Sequence, residues 1–197
     1  MIATMTFVFS TSSHTTGNVE HDHERLLTDI GENRALALRK YLGDQRFEIL
    51  VSSPAARAFR TAKLVGGEHV VNNDIIQLEE LYDRDFCATP RKQQAISDRI
   101  NEVGKKAAKT LIERIDAYVL RWTREHGVFL KEWNVLVATH KTLVPTIAAN
   151  VLKRYWDCQD EDQRLTQLQQ MDLKEQHAVR IKWDGALAFI RLPVEVQ

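Results

Sequence analysis

Cysteine, proline and net charge are all scarce in this sequence. Its 197 residues include two cysteines and four prolines, and its 27 lysines and arginines equal its 27 aspartates and glutamates. Cys87 and Cys158 lie far apart without CxxC spacing, which argues against a zinc ribbon or disulfide scaffold and is typical of a reducing cytoplasm. A zero formal charge argues against a protein that coats nucleic acid, so any anion recognition is expected to be local.

Long apolar runs are also missing from the sequence. No basic start with an apolar core opens the chain, and no run approaches the ~18 apolar residues of a membrane-spanning helix. Hydrophobic residues make up 44% of the sequence, which is enough to bury a sizeable core. We therefore expect a soluble cytoplasmic protein without nucleic-acid or membrane partners, folded as one domain over residues 1–197. The oligomeric state is left open.

Strand-like and helix-like segments alternate along the chain. Apolar, β-rich runs predict strands at residues 2–10, 47–51 and 135–138, with a further short strand near Val70. Apolar positions spaced by three and four residues predict helices at 28–42, 55–65, 91–126 and 142–152. Gly43 is expected to end the first helix, and Pro145 is expected in the first turn of the last one. Asp184-Gly185 predicts a hairpin between strands at 177–183 and 186–192.

Three of the predicted strands end in polar residues, and each is followed along the chain by a helix. This pattern indicates an open α/β sheet, in which binding sites form at the carboxyl ends of the strands. A site here would be assembled from three loops, which offer Thr11, Ser12, Ser13 and His14; Ser52, Ser53 and Arg57; and Thr139, His140 and Lys141.

Arg57 lies one turn into the helix that follows Ser52-Ser53-Pro54. A serine is predicted to cap this helix, with Pro54 in its first turn. The free N–H groups and positive dipole end of a helix N-terminus favour an anion, and a guanidinium fork there matches a phosphate. Taken singly, an arginine is more often a solvated surface residue, and a histidine after an apolar strand, as at His140, is more often a satisfied buried residue.

Three stretches of the sequence together resemble a known family. They are "LLTDIGENRALAL" at 26–38, "VSSPAARAFRTA" at 51–62 and "VLVATH" at 135–140. In this order they resemble the histidine phosphatase superfamily, with its phosphoglycerate mutase-like fold. Arg25, just ahead of Leu27-Thr28, makes the chain most similar to the short phosphohistidine phosphatase branch. The resemblance implies a three-layer α/β/α fold with a mostly parallel mixed sheet and a helical insert near 88–130.

The resemblance also implies a mechanism and roles for individual residues. In the family, the histidine of an Arg-His-Gly motif attacks phosphorus, and a second histidine and two arginines hold the phosphoryl oxygens. An acidic residue then protonates the leaving group. Arg57 matches the second arginine, His140 the second histidine, and Glu80 the acid, with Glu79 a less favoured substitute. No cofactor and no metal are expected.

The opening loop departs from the family pattern. Counting back from Asn18 and from Leu27 at the family's spacings reaches Ser12 both times, so Thr11-Ser12-Ser13 stands where Arg-His-Gly is expected. The nucleophile and the first phosphate arginine are then absent. Ser12 and Ser13 would still offer hydroxyl groups to a phosphate, and Lys141 would restore one positive charge. His14 is a candidate replacement nucleophile only in a rearranged loop, because two strand residues span about 6.6 Å.

Two further features have an ordinary interpretation beside a functional one. The segment "HDHE" at 21–24 contains side chains that bind zinc or nickel, although adjacent loop residues rarely face one ion together. The helix at 91–126 carries nine basic and five acidic residues, a net formal charge of +4. A basic rim there would attract a phosphorylated partner, but a solvated helix face is the commoner case.

Two hypotheses for function follow from these residues. The first is a degenerate histidine phosphatase-like protein that binds a phosphoryl group, on a small molecule or a phosphoprotein, with little or no turnover. The alternative is an active phosphomonoester or phosphohistidine phosphatase. That enzyme would use His14 as nucleophile, with Arg57 and His140 orienting the phosphate and Glu80 as acid.

Overall fold

Strands and helices alternate in the computed structural model, which describes residues 4–11, 15, 23–67, 75–82, 93–127, 132–156, 166, 168, 178–182 and 186–190. The strands are β1 (Thr4–Thr11), β2 (Ile49–Ser52), β3 (Ile75–Gln77), β4 (Glu132–Thr139), β5 (Ala178–Ile181) and β6 (Leu187–Ile190). The α-helices are α1 (Asp29–Leu42), α2 (Ala56–Gly66), α3 (Gln93–His126) and α4 (Val144–Trp156). A short 3-10 helix spans Glu79–Leu81.

The strands form one six-stranded mixed sheet in the order β3-β2-β4-β1-β5-β6. Strand β2 pairs in parallel with β3 and β4, and β4 pairs in parallel with β1. Strand β5 runs antiparallel to both of its neighbours. The predicted mostly parallel mixed sheet is confirmed, and the ends of β2, β4 and β1 meet at one edge.

Apolar side chains on the two faces of the sheet form two core clusters. Phe7 and Phe9 of β1 pack in the cluster that includes residues of α3 and α4, and Val8 packs in the cluster that includes residues of α1. This alternation follows from the two-residue period of a strand. Helices therefore cover both faces, and the predicted three-layer α/β/α arrangement is confirmed.

Helix α1 has the ends that the sequence predicts. The side chain of Thr28 accepts a hydrogen bond from the N–H of Gly31 at 3.2 Å. At the other end, the N–H of Gly43 donates to the carbonyls of Arg39 and Lys40 while its φ is 61°. A positive φ is cheap only for glycine, so Gly43 is the natural end of the helix.

Helix α3 confirms the predicted long helix and packs closely on α4. A Cβ atom at Gly104 would lie 2.7 Å from Cβ of Thr146, so only glycine permits this approach. The hydroxyl of Tyr155 in α4 donates to Oδ1 of Asp116 in α3 at 2.8 Å. Burial, reinforced by this hydrogen bond, raises the pKa of Tyr155 above its usual range. A single domain with a helical insert over 88–130 stays a prediction.

One local prediction is wrong, and another falls outside the described residues. Helix α2 begins at Ala56, after an Ala55 N-cap without a side-chain hydrogen bond, so Pro54 does not occupy its first turn. The hydroxyl of Ser53 instead accepts from the N–H of Ala55 at 3.3 Å, because serine competes for nearby backbone groups in turns. The strand predicted near Val70 falls in 68–74, which the structure does not describe. The C-terminal antiparallel pair is confirmed as β5 and β6.

Candidate functional site

The carboxyl ends of three neighbouring strands bring the predicted loop residues to one edge of the sheet. Ser52 of β2 and Ser10 of β1 are both in register with Ala138 of β4, and Thr11 is in register with Thr139. The N–H of Ser53 continues this pairing by donating to the carbonyl of Ala138 at 2.9 Å. Side chains that directly follow β2 and β4 therefore lie beside each other.

Arg57 is a buried cation in the first turn of α2. Its relative exposure is 6%, although its side chain carries a full positive charge. The guanidinium Nη2 lies 3.3 Å from Nδ1 of His140, which directly follows β4. The structure thus brings together the two residues that the sequence selects as phosphate ligands, across 83 positions of the chain.

Hydrogen bonding determines the tautomer of His140. Its Nδ1 faces Arg57 and its Nε2 lies 3.1 Å from Oγ of Ser53. Because a guanidinium can only donate, Nδ1 accepts, and the proton of the neutral ring lies on Nε2 and is donated to Ser53.

Ser53 joins His140 to the start of α2. Its Oγ accepts from the N–H of Ala55 and from Nε2–H of His140, and the residue is fully buried. Both lone pairs of the hydroxyl are then used, and its own proton is available to a third group. Sequence reasoning placed Ser53 in the right loop but missed its contact with His140, because a strand-ending serine has no pattern that names its partner.

The segment after β3 forms a wall beside His140. The N–H of Leu78 donates to the carbonyl of Ser52 at 3.0 Å, and the hydroxyl of Thr139 donates to the carbonyl of Leu81 at 3.2 Å. The ring of Tyr82 lies 5.5 Å from the ring of His140, centroid to centroid. No sequence signal singled out Tyr82, since its contact depends on the path of the chain after the 3-10 helix.

The other predicted site residues either lie near His140 with different exposure or fall outside the described residues. Glu80 is half-buried in the 3-10 helix of this wall, and Glu79 beside it is exposed. Lys141 follows His140 and is exposed. Ser12, Ser13 and His14 lie outside the described residues. Thr15, which follows them, forms an antiparallel bridge with Leu27 ahead of α1.

The described residues contain no group of three or more histidine, cysteine or acidic side chains placed to hold a metal ion. Within the segment at 21–24, Nε2 of His23 lies 3.3 Å from Oε1 of Glu24 and both side chains are exposed, while His21 and Asp22 fall outside the description. None of the helices described here is long and apolar enough to span a membrane.

Comparisons with known proteins agree with the fold and with the order of the motifs. The model of the histidine phosphatase superfamily (branch 1) matches residues 11–184. No curated protein sequence matches the chain significantly.

Solved structures of several phosphatases resemble the chain at low sequence identity. A mycobacterial glucosyl-3-phosphoglycerate phosphatase superposes with a TM-score of 0.62 at 14% identity, over 93% of this chain and 96% of its own. SixA of Agrobacterium tumefaciens, named as a phosphohistidine phosphatase, gives 0.57 at 17% identity, over 97% and 99% of the two chains. The phosphoserine phosphatase of Entamoeba histolytica, in complex with 3-phosphoglyceric acid, gives 0.57 at 14% identity, over 98% of both.

Proposed function

The chain belongs to the histidine phosphatase superfamily, and from this premise we propose that it binds a phosphoryl group, on a small molecule or a phosphoprotein, with little or no turnover. The observation that carries the proposal is the cluster of Arg57, His140 and Ser53 at the edge of the sheet, in which Arg57 and Ser53 are buried and His140 is half-buried. The guanidinium of Arg57 and the hydroxyl of Ser53 can donate to one anion, and His140 contacts and positions both of them.

The chemistry of this cluster suits a phosphate. A guanidinium has five N–H groups in a planar fork, of which one on Arg57 is directed at His140. Such a fork binds phosphate oxygens through paired hydrogen bonds. The free proton of the Ser53 hydroxyl adds a donor, and Lys141 adds a second positive charge at the exposed rim. Because Arg57 is largely removed from water, its attraction for an anion is weakened less by solvent than that of a surface cation.

The proposal of little turnover rests on the first loop. Thr11, the last residue of β1, is level with Thr139 in the sheet, and Ser12 is the next residue in the sequence. By the family resemblance, Ser12 then occupies the nucleophile position and Thr11 the first arginine position. A serine hydroxyl needs a neighbouring base or a metal pair to attack phosphorus, and the loss of one arginine removes charge from the phosphoryl oxygens in the transition state.

The proposed class of ligand rests on the ligands of similar proteins. One mycobacterial structure holds inorganic phosphate, and the Entamoeba histolytica enzyme holds 3-phosphoglyceric acid. For this chain we propose a phosphorylated small molecule or phosphoprotein, bound in the cytoplasm and without a cofactor.

Thermal unfolding in the presence of oxyanions tests this proposal. Phosphate, vanadate or tungstate should raise the melting temperature of the wild-type protein, because a ligand that binds only the folded state stabilises it. Arg57→Ala should abolish the increase. Arg60→Ala is the matched control, because Arg60 lies on the same helix but is exposed and paired with Glu32. Equal stabilisation of the Arg57→Ala protein would refute the site.

The second candidate function is a working phosphatase that uses His14. The observation that favours it is the bridge between Thr15 and Leu27, because it fixes the residue next to His14 against the segment that enters α1. In that enzyme, His14 would attack phosphorus, Arg57 and His140 would hold the phosphoryl oxygens, and Glu80 would protonate the leaving group.

Hydrolysis of an aryl phosphate between about pH 5 and 8 separates the two candidates. Turnover and a phosphorylated intermediate that both disappear in His14→Ala would establish His14 as the nucleophile and refute the non-catalytic proposal. Oxyanion stabilisation without turnover above that of His140→Ala would support binding alone.

A further inference from the structure

The flank of α3 beside the terminal strand β3 contains a cavity of about 260 Å³, here called the α3 cavity. It is lined by Ile76, Arg114, Ala117, Tyr118 and Arg121. The four helical residues follow the spacing i, i+3, i+4 and i+7, so they share one side of the helix. Strand β3 is the last strand of the described sheet on this side.

The α3 cavity lies far from the cluster of Arg57 and His140. The ring of Tyr118 packs edge-on against Trp133, with a centroid distance of 6.2 Å. Trp133 is near the start of β4, whereas His140 directly follows its end. Seven strand residues span about 23 Å. Ile76 of the cavity lining is in register through Val51 with Val137, three positions before His140 and two strands away. This separation, about 10 Å along the strands and about 10 Å across them, exceeds the reach of one phosphoryl group.

The charges that line the α3 cavity are weakly compensated. Arg121 has Glu125 as an ion-pair partner at 3.9 Å, and both side chains are largely exposed. Such a surface pair contributes little because solvent screens it. The guanidinium of Arg114 makes no hydrogen bond or ion pair with any residue in the described ranges. Two guanidinium groups therefore border the cavity without a strong carboxylate partner.

The walls between the two arginines are apolar or aromatic. The guanidinium carbon of Arg121 lies 5.5 Å from the centre of the Tyr118 ring. A cation–π contact of this kind holds the guanidinium near an apolar surface, where its remaining N–H groups stay available to an anion. Ile76 and Ala117 complete the apolar part of the lining.

We propose that the α3 cavity is a second anion-binding site, for a compact ligand with a carboxylate or phosphate group on an apolar body. Arg114 and Arg121 bind the anionic group, and the apolar walls contact the body of the ligand. The volume lies just below the ~300–1,000 Å³ of typical ligand pockets, which suits a compact molecule. The site is independent of the proposed phosphoryl site.

Nuclear magnetic resonance titrations with benzoate and, separately, phenyl phosphate test the α3 cavity. Saturable shifts of the amide signals of Ile76 and Ala117 are expected in the wild-type protein and, unchanged, in His140→Ala. Arg114→Gln/Arg121→Gln should weaken binding by on the order of tenfold or more, because charge-assisted hydrogen bonds are lost. Whether benzoate or phenyl phosphate binds more tightly identifies the preferred anionic group.

Two further variants of α3 keep the test specific. Lys109→Gln/Arg124→Gln removes the same charge from the helix at positions that do not line the cavity, and binding should be retained. Ala117→Trp fills the cavity while keeping both arginines, and binding should be lost. The proposal is overturned if neither probe produces saturable shifts at Ile76 and Ala117, or if the two double variants bind equally well.

Discussion

Arg57 and Arg121 lie on helices that cover opposite faces of one sheet, yet their surroundings differ sharply. Arg57 is 6% exposed and its guanidinium lies 3.3 Å from His140. The side chain of Arg121 is 66% exposed, and its carboxylate neighbour Glu125 is 3.9 Å away. A buried cation with a fixed partner recognises an anion in one geometry, whereas an exposed one contributes a weaker attraction that salt reduces.

Replacing each arginine by glutamine is the strongest test of this difference. Arg57→Gln should lower the affinity for inorganic phosphate by on the order of 100-fold, because it removes a buried, charge-assisted donor pair. Arg121→Gln should leave that affinity unchanged. Isothermal titration calorimetry of the two variants measures both values. A similar loss in both would mean that phosphate binding responds to overall charge rather than to the buried cluster.

A smaller effect is expected from the serine that contacts His140. Ser53→Ala should weaken phosphate binding by about tenfold, or about 1.4 kcal/mol, because the donated hydroxyl proton is lost. Ser52→Ala is the matched control, since Ser52 is an adjacent buried serine whose hydroxyl donates to the carbonyl of Ser53. Isothermal titration calorimetry measures the phosphate affinity of the two alanine variants. An unchanged affinity in Ser53→Ala would exclude the Ser53 hydroxyl as a phosphate donor.

Salt should weaken anion binding at the two sites to different extents. Raising ionic strength from about 0.01 to about 0.1 M shortens the screening length from about 30 to about 10 Å. Benzoate binding at the exposed α3 cavity should weaken severalfold over this range, whereas phosphate binding at buried Arg57 should weaken less. Titrations of each probe across the salt series measure the two slopes. Equal slopes would show that burial does not protect Arg57 from screening.

The smallest expected effect concerns an exposed arginine on the same helix as Arg57. Nε of Arg60 donates to Oε1 of Glu32 at 2.7 Å, and this hydrogen bond lowers the pKa of Glu32 below 4.5. A lowered pKa in the folded state adds stability above the unfolded value, and this stability is lost as pH falls through the folded value. The contribution is small, because the pair is exposed.

Urea unfolding at neutral pH and at pH about 3 tests this pair through the linkage between pKa and stability. Glu32→Gln should lose a small part of the wild-type stability at neutral pH and none at the lower pH. Glu113→Gln serves as the control, because the carboxylate of Glu113 lies 4.0 Å from the ammonium group of Lys109 on an exposed part of α3. A loss that is equal at both pH values would show that the effect of Glu32→Gln is not electrostatic.

Much of the fold was predictable from local sequence patterns. Apolar runs predicted β1, β2 and β4, and three- and four-residue spacing predicted the four helices. Helix α1 begins after Thr28 and ends before Gly43, as expected. The start of α2 was predicted wrongly, because Ser53 and Pro54 are also common in turns and only the observed hydrogen bonds distinguish a turn from a cap. Strand β3 was not predicted, because its three residues are too few to show a two-residue period.

The candidate site was predictable in part. Arg57 and His140 could be selected because each follows a buried strand and matches a family motif, and the structure places them in contact. The partner of His140, Ser53, and the ring of Tyr82 could not be selected, since neither contact follows from spacing along the chain. The basic character of α3 was visible in the sequence, but the cavity between Arg114 and Arg121 was not.

Local patterns in the sequence indicate most of the strands and helices, because the two-residue and 3.6-residue periods are local properties of the chain. The same patterns place a polar residue after each of three buried strands. That β2 and β4 are neighbours, which brings Arg57 to His140 across 83 positions, is visible only in the packed fold. Strand order depends on how the apolar faces of sheet and helices pack together, and no local period encodes that packing.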